Sequence, residues 1–153
     1  MKRRSFLKST MVAGASIAVG AGVLSPTIAL ADKHGNDLSK AKSLDEVMKI
    51  IGATGAEASD KIKIKAPEIA ENGAVVPVTI TSEIEGTTEI ISITAANPTP
   101  YSAKYTFGEG AIASVKSRFK MGKTTDVVAV VKAGDKYYMA KANVKVTKGG
   151  CGG

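Results

Sequence analysis

The sequence predicts a mainly β fold. Its core is an immunoglobulin-like antiparallel β-sandwich of about seven strands, with a short N-terminal helix before it and a flexible C-terminal Gly-Gly-Cys-Gly-Gly arm after it. Three observations point there. From Lys61 onward apolar residues recur at every second position, the period of a half-buried strand. Turn signals separate these runs: Glu71-Asn72-Gly73, Glu85-Gly86 and Asn97-Pro98-Thr99-Pro100. The sequence shows no βαβ alternation and no internal repeat. Gly108-Glu109-Gly110 has no helical pattern after it and is read as a turn, not a nucleotide loop.

Residues 1–31 read as a twin-arginine export signal. Arg3 and Arg4 lie within Lys2-Arg3-Arg4-Ser5-Phe6-Leu7-Lys8, an apolar stretch runs from Met11 to about Leu24, and Ala29-Leu30-Ala31 offers a small-x-small cleavage site. The apolar run is short for a membrane span and is interrupted by Gly14, Gly20, Gly22 and Pro26. The expected mature protein begins near Asp32, is periplasmic and keeps no membrane anchor.

Residues 32–56 form an N-terminal segment with the short helix. Ser43 and Glu46 have the spacing of a capping box. Leu44, Val47, Met48 and Ile51 follow at helical spacing and Gly52 supplies a stop, so about two turns are expected, lying as a lid on the sandwich.

Residues 57–147 carry the strands. Ile62 and Ile64 alternate with lysines, and Val76, Val78 and Ile80 alternate with Pro77, Thr79 and Thr81. Thr88 to Thr94 is rich in Ile and Thr. Tyr101, Ala103, Tyr105 and Phe107 share one face of a further strand. Ala113, Val115, Ser117, Phe119 and Met121 share another, leaving Lys116, Arg118 and Lys120 opposite. Val127 to Val131 is continuously apolar, as for a strand covered on both faces. Tyr138, Ala140, Ala142, Val144 and Val146 line the last strand, joined to its predecessor by the hairpin loop Ala133-Gly134-Asp135. The apolar 127–131 run and the Tyr138 face exceed what one small sandwich covers, so an apolar partner interface is expected.

Charge and composition exclude several classes. The formal net charge is +7, and loss of Lys2, Arg3, Arg4 and Lys8 with the leader takes it to +3, seventeen Lys and Arg against fourteen acids. That is mild for a nucleic-acid binder, and none is expected as a partner. The mature length of about 122 residues fits one domain. Catalytic candidates are few. The single histidine, His34, lies near the mature N-terminus, away from any folded triad, and with one cysteine it makes no metal site. Glu83 and Glu85 read as a solvated face. The stripes Lys61/Lys63/Lys65 and Lys116/Arg118/Lys120 read as solvated faces too, with a docking role for acidic partners or anions as the functional alternative.

The chemistry then falls to Cys151, the only cysteine, flanked by Gly149, Gly150, Gly152 and Gly153 in the arm 148–153. An unpaired thiol in an oxidising compartment is an intermolecular partner or a reactive group. Glycine flanks leave the thiol unshielded and the backbone unrestricted. An unperturbed thiol has a pKa of about 8.5, so a minority is thiolate at neutral pH and activation is left to a partner's active site. Counted from Val146, Cys151 can extend roughly 17 Å from the sandwich. This is the design of a covalent carrier without a cofactor or chemistry of its own. The alternatives are an exported immunoglobulin-like assembly module that uses Cys151 for an intermolecular disulfide, and a thiol enzyme acting at Cys151.

Several segments resemble one family. The terminus Val144-Lys145-Val146-Thr147-Lys148-Gly149-Gly150-Cys151-Gly152-Gly153 is similar to that of SoxY, the sulfur-carrier subunit of thiosulfate-oxidising systems. So are Lys120-Met121-Gly122, Val128-Ala129-Val130-Val131-Lys132-Ala133-Gly134, Asn97-Pro98 and Glu71-Asn72-Gly73-Ala74-Val75-Val76-Pro77-Val78. The resemblance implies a heterodimer with a SoxZ-like subunit and covalent sulfur attachment at Cys151. A SoxAX-like haem cytochrome would join thiosulfate to the thiol oxidatively. A SoxB-like dimanganese hydrolase would release sulfate and leave a persulfide, and a sulfane dehydrogenase, where present, would oxidise the outer sulfur.

Overall fold

The computed structural model describes residues 37–149. Arg3, Arg4, His34, Gly150, Cys151, Gly152 and Gly153 lie outside the described residues.

Helix α1 spans Leu44–Ile51. Ser43, in extended conformation, caps it by accepting from the Glu46 N–H at 3.2 Å. The Glu46 carboxylate accepts from the Lys42 N–H at 2.7 Å, one residue further back than a capping box predicts. Gly52, at φ +74°, closes the helix. Its N–H donates to Lys49 O at 3.1 Å and the Ala53 N–H to Met48 O at 2.8 Å, the paired bonds of a Schellman motif.

Nine strands follow among the described residues: β1 (Glu57–Ala58), β2 (Ile62–Lys65), β3 (Ile69–Ala70), β4 (Val76–Ser82), β5 (Thr87–Thr94), β6 (Tyr101–Thr106), β7 (Ser114–Phe119), β8 (Thr125–Ala133) and β9 (Lys136–Val146). One sheet runs β1-β9-β8-β5-β6, with β3 also paired to β9, and the other runs β2-β4-β7. The seven long strands match the periodic runs. The two short additions, β1 and β3, pair with β9 in parallel, so the larger sheet is not purely antiparallel. Two residues each leave no room for alternation, which is why the pattern did not reveal them. The β8–β9 turn is Gly134-Asp135, with positive φ at Gly134 alone, the type II′ geometry that suits a two-residue hairpin.

Burial divides the chain into three layers. Between the sheets, Ile62, Val76, Val78 and Ile80 meet Ile90, Val127, Ala129, Val131 and Val144. On the other side of the larger sheet, Leu38, Ala41, Val47, Met48 and Ala53 meet Ile91, Ile93, Val128 and Val130. The β8 run is therefore covered on both faces, as its continuous apolarity predicts. This corrects one inference from the sequence. The alternate valines belong to the second core under α1, and Tyr138 packs against the first. No apolar excess on β8 is left to demand a partner. The large apolar side chains left exposed among the described residues are Ile69, Val75 and Ile112.

Candidate functional site: the root of the C-terminal arm

Strand β9 ends at Val146 and the chain continues toward Cys151. Three loops converge on that exit. The first follows β3: Thr147 N–H donates to Ala70 O at 3.1 Å, and Gly73 N–H donates to Lys148 O at 2.8 Å. Asn72 holds this turn through its Oδ1, which accepts from Ala74 N–H at 2.9 Å. The second loop follows β7. Met121 N–H donates to Gly73 O at 2.6 Å, so Gly73 joins the arm's root on one side and the 120–122 turn on the other. The start of the next segment adds a bond from Val146 N–H to Thr124 Oγ1 at 3.0 Å.

The third loop contributes Asn97. Its Nδ2 donates to Lys120 O at 2.7 Å and its Oδ1 accepts from Gly122 N–H at 3.2 Å. One amide thus straps both ends of the turn. The backbone of Gly149 lies directly against that of Gly122, and a Cβ on Gly149 would run into the Gly122 carbonyl. A side chain there requires the backbone to shift.

Lys148 and Gly149 were expected to belong to the arm, yet both are engaged with the body. Measured from Gly149, Gly150 alone remains before Cys151, and the two Cα steps reach about 7 Å instead of the roughly 17 Å counted from Val146. Hydrogen bonds between segments far apart in sequence cause the difference. Exposed Ile69 and Val75 border the root, each within two residues of Ala70 or Gly73.

The other candidate features lie elsewhere. Glu83, Glu85 and the Gly108-Glu109-Gly110 turn line an open groove of about 740 Å³ with exposed Ile112, at the end of the sandwich opposite the arm's root. The segments that converge on the root are the ones that looked separate in sequence: 71–74, 97, 120–122 and 147–149. The sequence reading missed Thr124 and the strapping role of Asn97. An Asn-Pro loop signals a turn, but nothing local shows which backbone its amide will meet.

A family model described as "Sulfur oxidation protein SoxY" matches residues 47–151, and so ends at Cys151. The solved structure of the sulfur carrier protein SoxY from Chlorobium limicola f thiosulfatophilum is 44% identical, with a TM-score of 0.62, over 67% of this chain and 94% of that one. A superoxide reductase (neelaredoxin) from Ignicoccus hospitalis, 16% identical with a TM-score of 0.50, covers 68% of this chain and 92% of its own and shares the fold alone. No curated protein matches.

Proposed function

Since this chain belongs to the SoxY family of sulfur oxidation proteins, we propose that it is a periplasmic sulfur carrier that holds thiosulfate-derived intermediates covalently on Cys151. The observation that carries this reading is a family match that runs to residue 151, the only cysteine of the chain. The chain contributes a nucleophile and its placement, and no cofactor. In the loading step the Cys151 thiol and thiosulfate form an S–S bond. The products are Cys–S–S–SO3⁻, one proton and two electrons, and the electrons pass to a SoxAX-like cytochrome. In the unloading step water cleaves the S–SO3 bond at a SoxB-like hydrolase. Sulfate and a proton leave, and a Cys–S–SH persulfide stays on the arm. A sulfane dehydrogenase, where present, oxidises that outer sulfur.

A SoxZ-like subunit completes the carrier as a heterodimer, and the twin-arginine signal takes it to the periplasm. The root geometry supports the carrier role. Three loops fix where the arm leaves the body, so a short glycine-flanked segment starts from a defined point.

Intact-mass analysis of protein isolated under non-reducing conditions tests the reading. Wild type exposed to thiosulfate and the partner enzymes gains adducts with the masses of S2O3 or of single sulfur atoms, and Cys151→Ser gains none and supports no thiosulfate oxidation. A protein found only as a disulfide dimer, or turnover of thiosulfate by this chain alone, overturns it.

A further inference from the structure

Four residues of the two basic stripes, Lys63, Lys65, Lys116 and Arg118, lie on one surface. In the β2-β4-β7 sheet, Lys65 pairs with Thr79 and Thr79 with Lys116, Lys63 pairs with Thr81 and Thr81 with Ser114, and Pro77 pairs with Arg118. Residues opposite one another in register point to the same side. The outward positions of this sheet are therefore Lys63, Lys65, Pro77, Thr79, Thr81, Ser114, Lys116 and Arg118. They hold four cations and no acid. All four cations are exposed, and none forms an ion pair with an acid among the described residues. The face adjoins the arm's root. Arg118 is four residues, at most about 14 Å, from the Gly122 that seats Gly149.

We propose that this face docks an acidic protein surface: the rim of the enzyme site that receives Cys151. The inference rests on the carrier reading above. Reach argues for a protein occupant. With about 7 Å of chain between Gly149 and Cys151, an enzyme that takes in the thiol must press against the surface around the arm's root. Spacing argues against a small anion. Lys63 and Lys65 are about 7 Å apart along one strand, and Lys65 and Lys116 about 10 Å apart across two strand spacings. One thiosulfate or sulfate needs donors that converge; this pattern is spread as surface carboxylates are. The middle strand offers Pro77, Thr79 and Thr81, with no large apolar or aromatic side chain to enter a membrane or stack on a base. Fields of this kind act chiefly on association rate.

The test is the second-order rate of Cys151 loading by the purified cognate thiosulfate-oxidising cytochrome, as a function of salt. The full mature chain with its subunit partner is compared with a K63E/K65E/K116E/R118E variant. A fourfold Gln variant at the same positions guards against misfolding by charge reversal. A K40E/K42E/K49E/K136E variant controls for net charge. At low ionic strength the Glu face variant should load on the order of tenfold to a hundredfold more slowly, the Gln variant by less, and the control near wild type. The differences should collapse near 0.5 M salt, where the Debye length falls to roughly 4 Å. Alkylation of Cys151 by iodoacetamide should be equal in all. Equal loading of wild type and face variants overturns the inference, as does equal slowing of the control. So does a loss confined to subunit pairing, or to binding of thiosulfate or anionic vesicles by the chain alone. Failure of the cytochrome to load even wild type counts instead against the carrier reading.

Discussion

At the scale of single residues, the proposed carrier role predicts different effects for substitutions at the glycines around the thiol. Gly149 is seated against Gly122, so Gly149→Ala should push the chain end off its seat and slow enzymatic loading of Cys151. Gly150→Val and Gly152→Val should slow loading and unloading for another reason, since a β-branched side chain stiffens and widens the arm. In all three, alkylation of Cys151 by a small reagent should match wild type. Normal kinetics with the partner enzymes would make the glycines incidental. Asn97→Ala removes both bonds of the strap on the 120–122 turn. The expected cost is about 1–3 kcal/mol of stability, read by denaturant unfolding, together with slower loading. A loss of stability with unchanged loading would confine Asn97 to holding the turn.

At the scale of elements, the helical segment belongs to the core. Leu38, Val47 and Met48 cover Ile91, Ile93, Val128 and Val130. Leu38 is 1% exposed, so Leu38→Ala should destabilise the protein by about 2–5 kcal/mol. Ser43→Ala should cost about 1 kcal/mol through loss of the cap. Both are read from urea midpoints at constant m-value, and neither should alter the reactivity of Cys151. The alternation and the continuous 127–131 run made the seven long strands legible. The same run was assigned to a partner interface because periodicity reports that a face is covered without reporting by what. Strands β1 and β3 were invisible because two residues cannot establish a period.

At the scale of the whole molecule, the two ends of the sandwich differ. One end carries the arm's root and adjoins the basic face; the other carries the groove bordered by Glu83, Glu85 and Glu109. The mature chain should form a one-to-one heterodimer with a SoxZ-like subunit, measured by light scattering at micromolar concentration. A chain that stays monomeric when that subunit is added would remove this part of the proposal. Of the large apolar side chains exposed among the described residues, Ile69 and Val75 border the root and Ile112 lies at the groove.

The sequence by itself determined the kind of molecule: strands from a period of two, a capped helix from Ser43 and Glu46, and one thiol among glycines beyond the last strand. These are local properties, set by backbone geometry and side-chain type over a few residues. Only the tertiary structure decided which surfaces those elements share. It brought 71–74, 97 and 120–122 together around the arm's root, shortened the reach to Cys151, and merged residues of two distant basic stripes into one face across β4. The physical reason is that register and long-range hydrogen bonds join residues far apart in the chain, such as Gly73 with Lys148 and Asn97 with Lys120, and no local pattern encodes which strand becomes the neighbour.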